Sequence, residues 1–148
     1  MNDKKIDIPK ILILDKAKLK IYIEEKLRVN KTEKAIIITG NREGFFTFSN
    51  YLIYCLNNLE EKINVNLEFI DSKIDFEILI VDNEKEENKL LWVVEKGIEK
   101  YIWKLTEISY LYVATDIHSL AYCNDEIHFD DYKREDKISV YCVVSDLT

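Results

Sequence analysis

One proline and three glycines in 148 residues leave little material for long flexible linkers or for glycine-built phosphate cradles. The three cysteines, Cys55, Cys123 and Cys142, are odd in number and far apart, which argues against a disulfide framework and for a reducing compartment. They read as buried thiols. Long apolar runs are missing too: Ile11 to Leu14 is far short of the roughly 18 residues a membrane span needs, and no secretion-type apolar core follows the N-terminal lysines. The expectation is a cytosolic protein. Positive charge is also in deficit, with 21 Lys and Arg against 28 Asp and Glu and a net charge of −7. Nucleic acid and anionic lipid need a cationic footprint, so the charge balance points instead to a basic or neutral partner.

What is present is globular: 47% hydrophobic and 33% charged residues, enough for one core in a single α+β domain over 1–148. Pro9 precedes Ile11 to Leu14, and Leu19, Ile21 and Ile23 alternate with polar neighbours, which predicts a hairpin turning near Asp15 to Lys18. Ala35 to Thr39 lacks alternation, as a strand covered on both faces does. Asn41 then caps a helix whose apolar positions are Phe45, Phe48, Leu52, Cys55, Leu56 and Leu59. Ile63 to Ile70 and Phe76 to Val81 read as paired strands, and Asp82 to Asn88 as a loop. From Lys89 onward, Leu91, Val94, Ile98, Tyr101, Ile102, Leu105, Ile108 and Tyr112 recur at helical spacing and predict a second long helix, with a strand over Leu90 to Val94 as the alternative. Glu126 to Asp130 and Ile138 to Val144 close the chain as strands. The expected architecture is a mixed, mostly antiparallel sheet of about six to seven strands with two long helices packed on it. Helix, strand, strand occurs twice, around 40–81 and 89–144, which suggests a duplicated unit.

Chemical motifs are sparse. Thr39 to Gly44 lies between strand and helix, where backbone amides hold phosphate in some proteins, but the Lys-Ser/Thr of a P-loop and the third glycine of a dinucleotide fingerprint are both absent. A tight turn with a helix cap is the simpler reading. His118, Cys123, His128 and Asp130 are metal-type residues at spacings that match no zinc pattern, and Glu126, His128 and Asp130 would share the solvated face of a strand. No cysteine sits in a nucleophile's context. No cofactor, metal or catalytic residue is expected. The strongest concentration of charge is acidic: Asp125, Glu126, Asp130, Asp131, Glu135 and Asp136, with Glu84, Glu86 and Glu87 as a second cluster. These nine carboxylates are the candidate contact residues for a basic partner.

Gly40-Asn41-Arg42-Glu43-Gly44-Phe45, followed by Phe48, Asn50 and Leu52, resembles the strand, Gly-Asn-x-x-Gly turn and helix of immunity proteins from bacterial polymorphic-toxin and contact-dependent inhibition systems. The likeness covers roughly a third of the chain, counting the flanking strands, and Phe45 and Phe48 stand where that family carries leucines. It implies a cytosolic, non-catalytic protein that neutralises a cognate toxin, often a nuclease with a basic surface. Two other classes fit the residues: a small enzyme or nucleotide-binding regulator using the Gly40 to Gly44 turn, and a structural subunit of a larger assembly.

Overall fold

A computed structural model describes residues 13–28, 31–58, 60–65, 67–81, 88–123, 125–129 and 138–145. They form nine strands and two helices: β1 Leu19–Arg28, β2 Lys31–Gly40, α1 Arg42–Asn57, β3 Lys62–Asn64, β4 Ile70–Ser72, β5 Asp75–Val81, β6 Lys89–Glu95, β7 Ile98–Thr106, α2 Glu107–Leu120, β8 Glu126–Phe129 and β9 Ile138–Val144. The strands make two sheets and not the single sheet expected, ordered β4-β1-β2-β9-β8 and β3-β5-β7-β6. Four pairings are antiparallel hairpins, and three, β1 with β4, β2 with β9 and β5 with β7, are parallel. No helix among the described residues is long and apolar enough to cross a membrane.

Each half of the chain runs hairpin, helix, antiparallel pair, and each sheet takes its second pair from the other half; in the first half β4 lies between β3 and β5 in the chain and joins the other sheet beside β1. β1 and β2 are joined by β9 and β8, while β6 and β7 are joined by β5 and β3. Alternation then stacks apolar rows across four strands. Ile21, Ile38, Cys142 and Ile127 form one row, and Ile23, Ile36, Val140 and Phe129 the next. In the second sheet Ile63, Ile78, Trp103 and Leu90 align, beside Phe76, Tyr101 and Trp92. The two inner faces meet directly: Trp103 and Phe129 lie edge to face at 5.4 Å, and Lys34 Nζ sits 3.3 Å from the centroid of the Trp92 ring.

The helices complete the same core. Phe45, Phe48, Ser49, Leu52 and Cys55 of α1 and Tyr110, Val113, Ala114, Ile117 and Leu120 of α2 are all buried, and each pair in that order is separated by 65 positions. α1 and α2 run antiparallel, because Tyr110 near the start of α2 donates its hydroxyl to Leu52 O at 2.7 Å while His118 near its end meets Ser49. The cap of each helix ties it to the first hairpin of its own half. Asn41 Oδ1 accepts from Gly44 N at 2.8 Å and from Lys18 N at 3.0 Å, and its amide donates to Lys16 O. At α2, Thr106 Oγ1 accepts from Ser109 N, while Asn88 receives Thr106 N at 2.9 Å and donates to Ser109 Oγ at 2.8 Å.

Several sequence expectations are corrected. Residues 89–106 are a hairpin and not the start of the second helix, which begins at Glu107, so the repeated unit opens with a hairpin. Lys96 and Gly97 form its two-residue turn with φ of 52° and 77°, the pair of left-handed residues a type I′ turn requires. The run Ile63 to Ile70 splits into β3 and β4, which join different sheets. The turn expected near Asp15 to Lys18 is present and is held by Asn41, but Ile13 and Leu14 before it are not strand, Ile11 and Leu12 lie outside the described residues, and β1 pairs with β2. Ile108 and Tyr112 lie outside the core, and Cys123 is exposed, leaving Cys55 and Cys142 as the buried thiols.

Gly40 and Gly44 are required by close approach, since a Cβ on either would overlap Lys18 O. Gly44 has no positive φ, so the ordinary helical penalty of alanine is not the relevant cost there. Backbone must move instead. Gly40→Ala and Gly44→Ala are each expected to destabilise by about 1–3 kcal/mol, read as a shift in urea midpoint; an unchanged midpoint would mean that the Lys18 backbone yields freely.

Candidate interaction surface

Of the nine carboxylates marked from sequence, Asp125 and Glu126 lie in the described structure. Both are exposed at the start of β8, where Asp125 Oδ1 caps Glu126 N at 2.8 Å and Glu126 Oε1 lies 3.5 Å from His128 Nε2. Glu84, Glu86, Glu87, Asp130, Asp131, Glu135 and Asp136 fall outside the described residues. His128 packs edge-on against Tyr141 at 4.2 Å on the outer face of its sheet. Among the described residues no three His, Cys, Asp or Glu side chains gather as metal ligands.

The Gly40 to Gly44 turn is filled by the chain itself. The amides of Asn41, Gly44 and Phe45 donate to Lys18 O, Asn41 Oδ1 and Asn41 O, and the Lys18 backbone occupies the space beside both glycines. A phosphate approaching this helix end would have to displace the Lys18 segment, and one first-turn amide, that of Gly44, is already bonded to Asn41 Oδ1.

Ser49 and His118 form a pair that sequence alone does not bring together. Ser49 Oγ donates to Phe46 O at 2.9 Å and lies 3.2 Å from His118 Nδ1. The hydroxyl has one proton for the two acceptors: given to Phe46 O, it leaves the serine to accept from Nδ1–H, and given to Nδ1 it requires the other imidazole tautomer. The pair acts as a tie between helices, and it continues outward as a ring ladder, Phe46 to His118 at 5.4 Å and His118 to Tyr122 at 5.3 Å.

The outer side of α2 is the most distinctive surface. Ile108, Leu111, Tyr112 and Tyr122 are 58%, 44%, 65% and 70% exposed. Their spacing follows one helical stripe continued into the turn after α2. Between Leu105 and Tyr132 the sequence holds no lysine or arginine, and Glu107, Asp116, Asp125 and Glu126 are exposed around the stripe's elements. Partial burial raises the Asp116 carboxyl above its ordinary value. α1 handles the corresponding positions differently. Thr47 and Tyr51, 65 positions before Tyr112 and Asp116, are buried. Leu14 N donates to Thr47 Oγ1 at 3.3 Å, and Tyr51 lines a cavity of about 270 Å³ with Ile13, Leu14, Leu67 and Phe69. In the first half, then, the chain's own segments lie over this helix face; among the described residues α2 has no such cover.

Comparison with protein-family profiles, with curated proteins and with solved structures finds no match to this chain.

The α2 stripe escaped sequence analysis because the second helix was begun eighteen positions early, at Lys89, which put Ile108 and Tyr112 on its buried side. The signal that would have marked it is the absence of basic residues after Leu105.

The thiols give a direct check on this geometry. Burial pushes the Cys55 thiol up to about 12, with the Tyr51 hydroxyl acting in the opposite direction, and raises the Cys142 thiol further. Both are acids whose folded pKa exceeds the unfolded one. Their stabilising contribution is therefore complete below about pH 9, the ordinary thiol value, and is lost as pH rises toward 12. Stability is expected to fall above pH 9, and a thiol reagent at neutral pH should label Cys123 alone until the protein is unfolded. Rapid native labelling of Cys55 or Cys142 would contradict the burial.

Proposed function

We propose that the protein acts by binding a basic protein partner, in the manner of an immunity protein that occludes a toxin domain, and that it performs no chemistry itself. The observation that carries this reading is the α2 surface: an exposed aliphatic and aromatic stripe set among carboxylates, left open at Tyr112 where the first half lays its own segment over the counterpart Thr47. Large exposed apolar patches mark interaction sites, and aromatic anchors such as Tyr112 and Tyr122 dominate interface energetics. The carboxylates supply steering, because opposite charges raise the association rate. Support also comes from the Gly40 to Phe45 resemblance and from the net charge of −7. Asp125 and Glu126 remain contact candidates beside the stripe. Glu107 and Asp116 join them.

The experiment begins with the reading frame beside this gene, which on this proposal encodes a secreted toxin with a basic C-terminal domain. That domain should bind the purified chain. Leu111→Asp with Tyr112→Ala is expected to weaken the complex by at least about thirtyfold, mostly through faster dissociation. Charge reversal at Asp116, Asp125 and Glu126 should slow association, and should lessen its salt dependence, screening acting over about 8 Å at physiological ionic strength. A toxin domain bound equally well by all these variants, with their folding intact by circular dichroism, would remove α2 from the interface; absence of any toxin gene would remove the immunity reading.

A further inference from the structure

A second surface lies on β6, away from α2, whose packing on this sheet is to β5 and β7. β6 is an edge of the four-stranded sheet, and among the described residues no strand pairs with its outer side. The other edges are short: β3 and β4 have three residues each and β8 has four, whereas β6 has seven. It holds no proline or glycine, and its centre, Leu90 to Val94, is wholly apolar. Trp92 and Val94 are 36% and 53% exposed, and Ile98, just past the turn, is 66% exposed. Proteins guard such an edge with charge, shortening or a bulge, because its amides and carbonyls template another strand. β6 carries charge only at its two ends.

Those ends are complementary. Lys89 opens the strand and Glu95 closes it, and both project to the outer face, with Leu91 and Val93 between them, while Leu90, Trp92 and Val94 project inward. A partner strand running antiparallel with Trp92 opposite Trp92 brings Lys89 against Glu95 at both ends, Leu90 against Val94, and Leu91 against Val93. Every residue then meets one of matching character, and inner faces stay inner. Shifting by two residues, the smallest slip that preserves the faces, loses both charge pairs, and a parallel arrangement in register places like charges together. The sequence of β6 is thus complementary to itself under a twofold axis.

We infer that a second copy of this chain docks on β6, antiparallel and centred on Trp92, joining the two four-stranded sheets into one of eight. Isologous pairing closes after two copies, so the edge is consumed without propagating a fibre. The proposal is independent of partner binding through α2.

Sedimentation equilibrium over micromolar to near-millimolar concentrations tests it. The full chain is expected to approach twice its 17.6 kDa mass. Glu95→Lys alone and Lys89→Glu alone each place two like-charge pairs across the axis and should weaken dimerisation by roughly tenfold. The double variant Lys89→Glu, Glu95→Lys restores opposite charges and should recover most of the affinity. That rescue is specific to this register, because mere damage to the strand would accumulate in the double variant. Thermal melts of the dilute monomer control for folding. A monomer mass throughout overturns the proposal, and so does a dimer indifferent to the single reversals or not recovered by the exchange.

Discussion

The exchange of hairpins between the two halves is the constraint on which the rest of the structure depends. β2 gains its second neighbour from β9, and β7 gains its from β5, so neither half of the chain can cover its own apolar rows. Gly40 is paired with Val144 across most of the sequence. Closing such distant pairings costs chain entropy before the contacts reward it, which implies one cooperative unit with slow formation, and not two halves folding separately. The antiparallel packing of α1 on α2 follows directly. Each helix carries the chain from one sheet to the other, so both must cross the same interior.

Within that symmetric frame, the two helices end in different environments, and the difference has functional content. Equivalent buried positions are filled at a constant offset, so the inner faces answer one another closely. The outer faces diverge. α1 is overlaid by residues 13–17 and 67–69, whose polar needs are met through Thr47 and Asn41, and Tyr51 sends its hydroxyl to Asn64 O at 2.8 Å. α2 places Tyr112, which is exposed, where α1 has the buried Thr47, and leaves Ile108 and Leu111 open beside it. An uncovered aliphatic stripe contributes nothing to the stability of the chain alone, and the burial available there is available to a partner.

Legibility of these features in the sequence tracks how local their cause is. β2, the Asn41 cap and the buried face of α1 could be read directly, because β-branched runs and capping geometry act over a few residues. β8 and β9 were placed within a residue or so for the same reason. The segment of β6 and β7 reads as a helix, with a strand over Leu90 to Val94 as the alternative, because Ile98, Tyr101, Ile102 and Leu105 satisfy a helical spacing while Tyr101, Trp103 and Leu105 satisfy a strand's. Only the Lys96-Gly97 turn decides between them, and a lone Lys-Gly step is a weak signal beside eight apolar positions. The division into two sheets was invisible, since local pattern says nothing about which hairpin a strand will join. Asp125 and Glu126 are contact candidates on charge density alone, a property the sequence shows directly. The α2 stripe beside them is not legible there, because exposure of an apolar residue is a tertiary fact.

Charge is distributed unevenly over the fold, and this gives the molecule a direction. Lys62, Lys104 and Lys89 lie in one row on the outer face of the four-stranded sheet, with Leu79 between the first two. Lys62 and Lys100 each lie 3.2 Å from the carboxylate of Glu77, which is nearly buried between them. α2 packs toward the inner side of that sheet, its buried residues sharing one core with Phe76, Ile78 and Trp103. Asp75 and Glu95 share that outer face and nearly balance its lysines, whereas no lysine or arginine lies between Leu105 and Tyr132 to balance the carboxylates around α2. A net charge alone would attract a basic body to any side; a separated charge orients it. For the basic partner proposed above, approach along the resulting field would bring its cationic surface to the stripe of Ile108, Leu111 and Tyr112 before short-range contacts form, so orientation and burial would favour the same face.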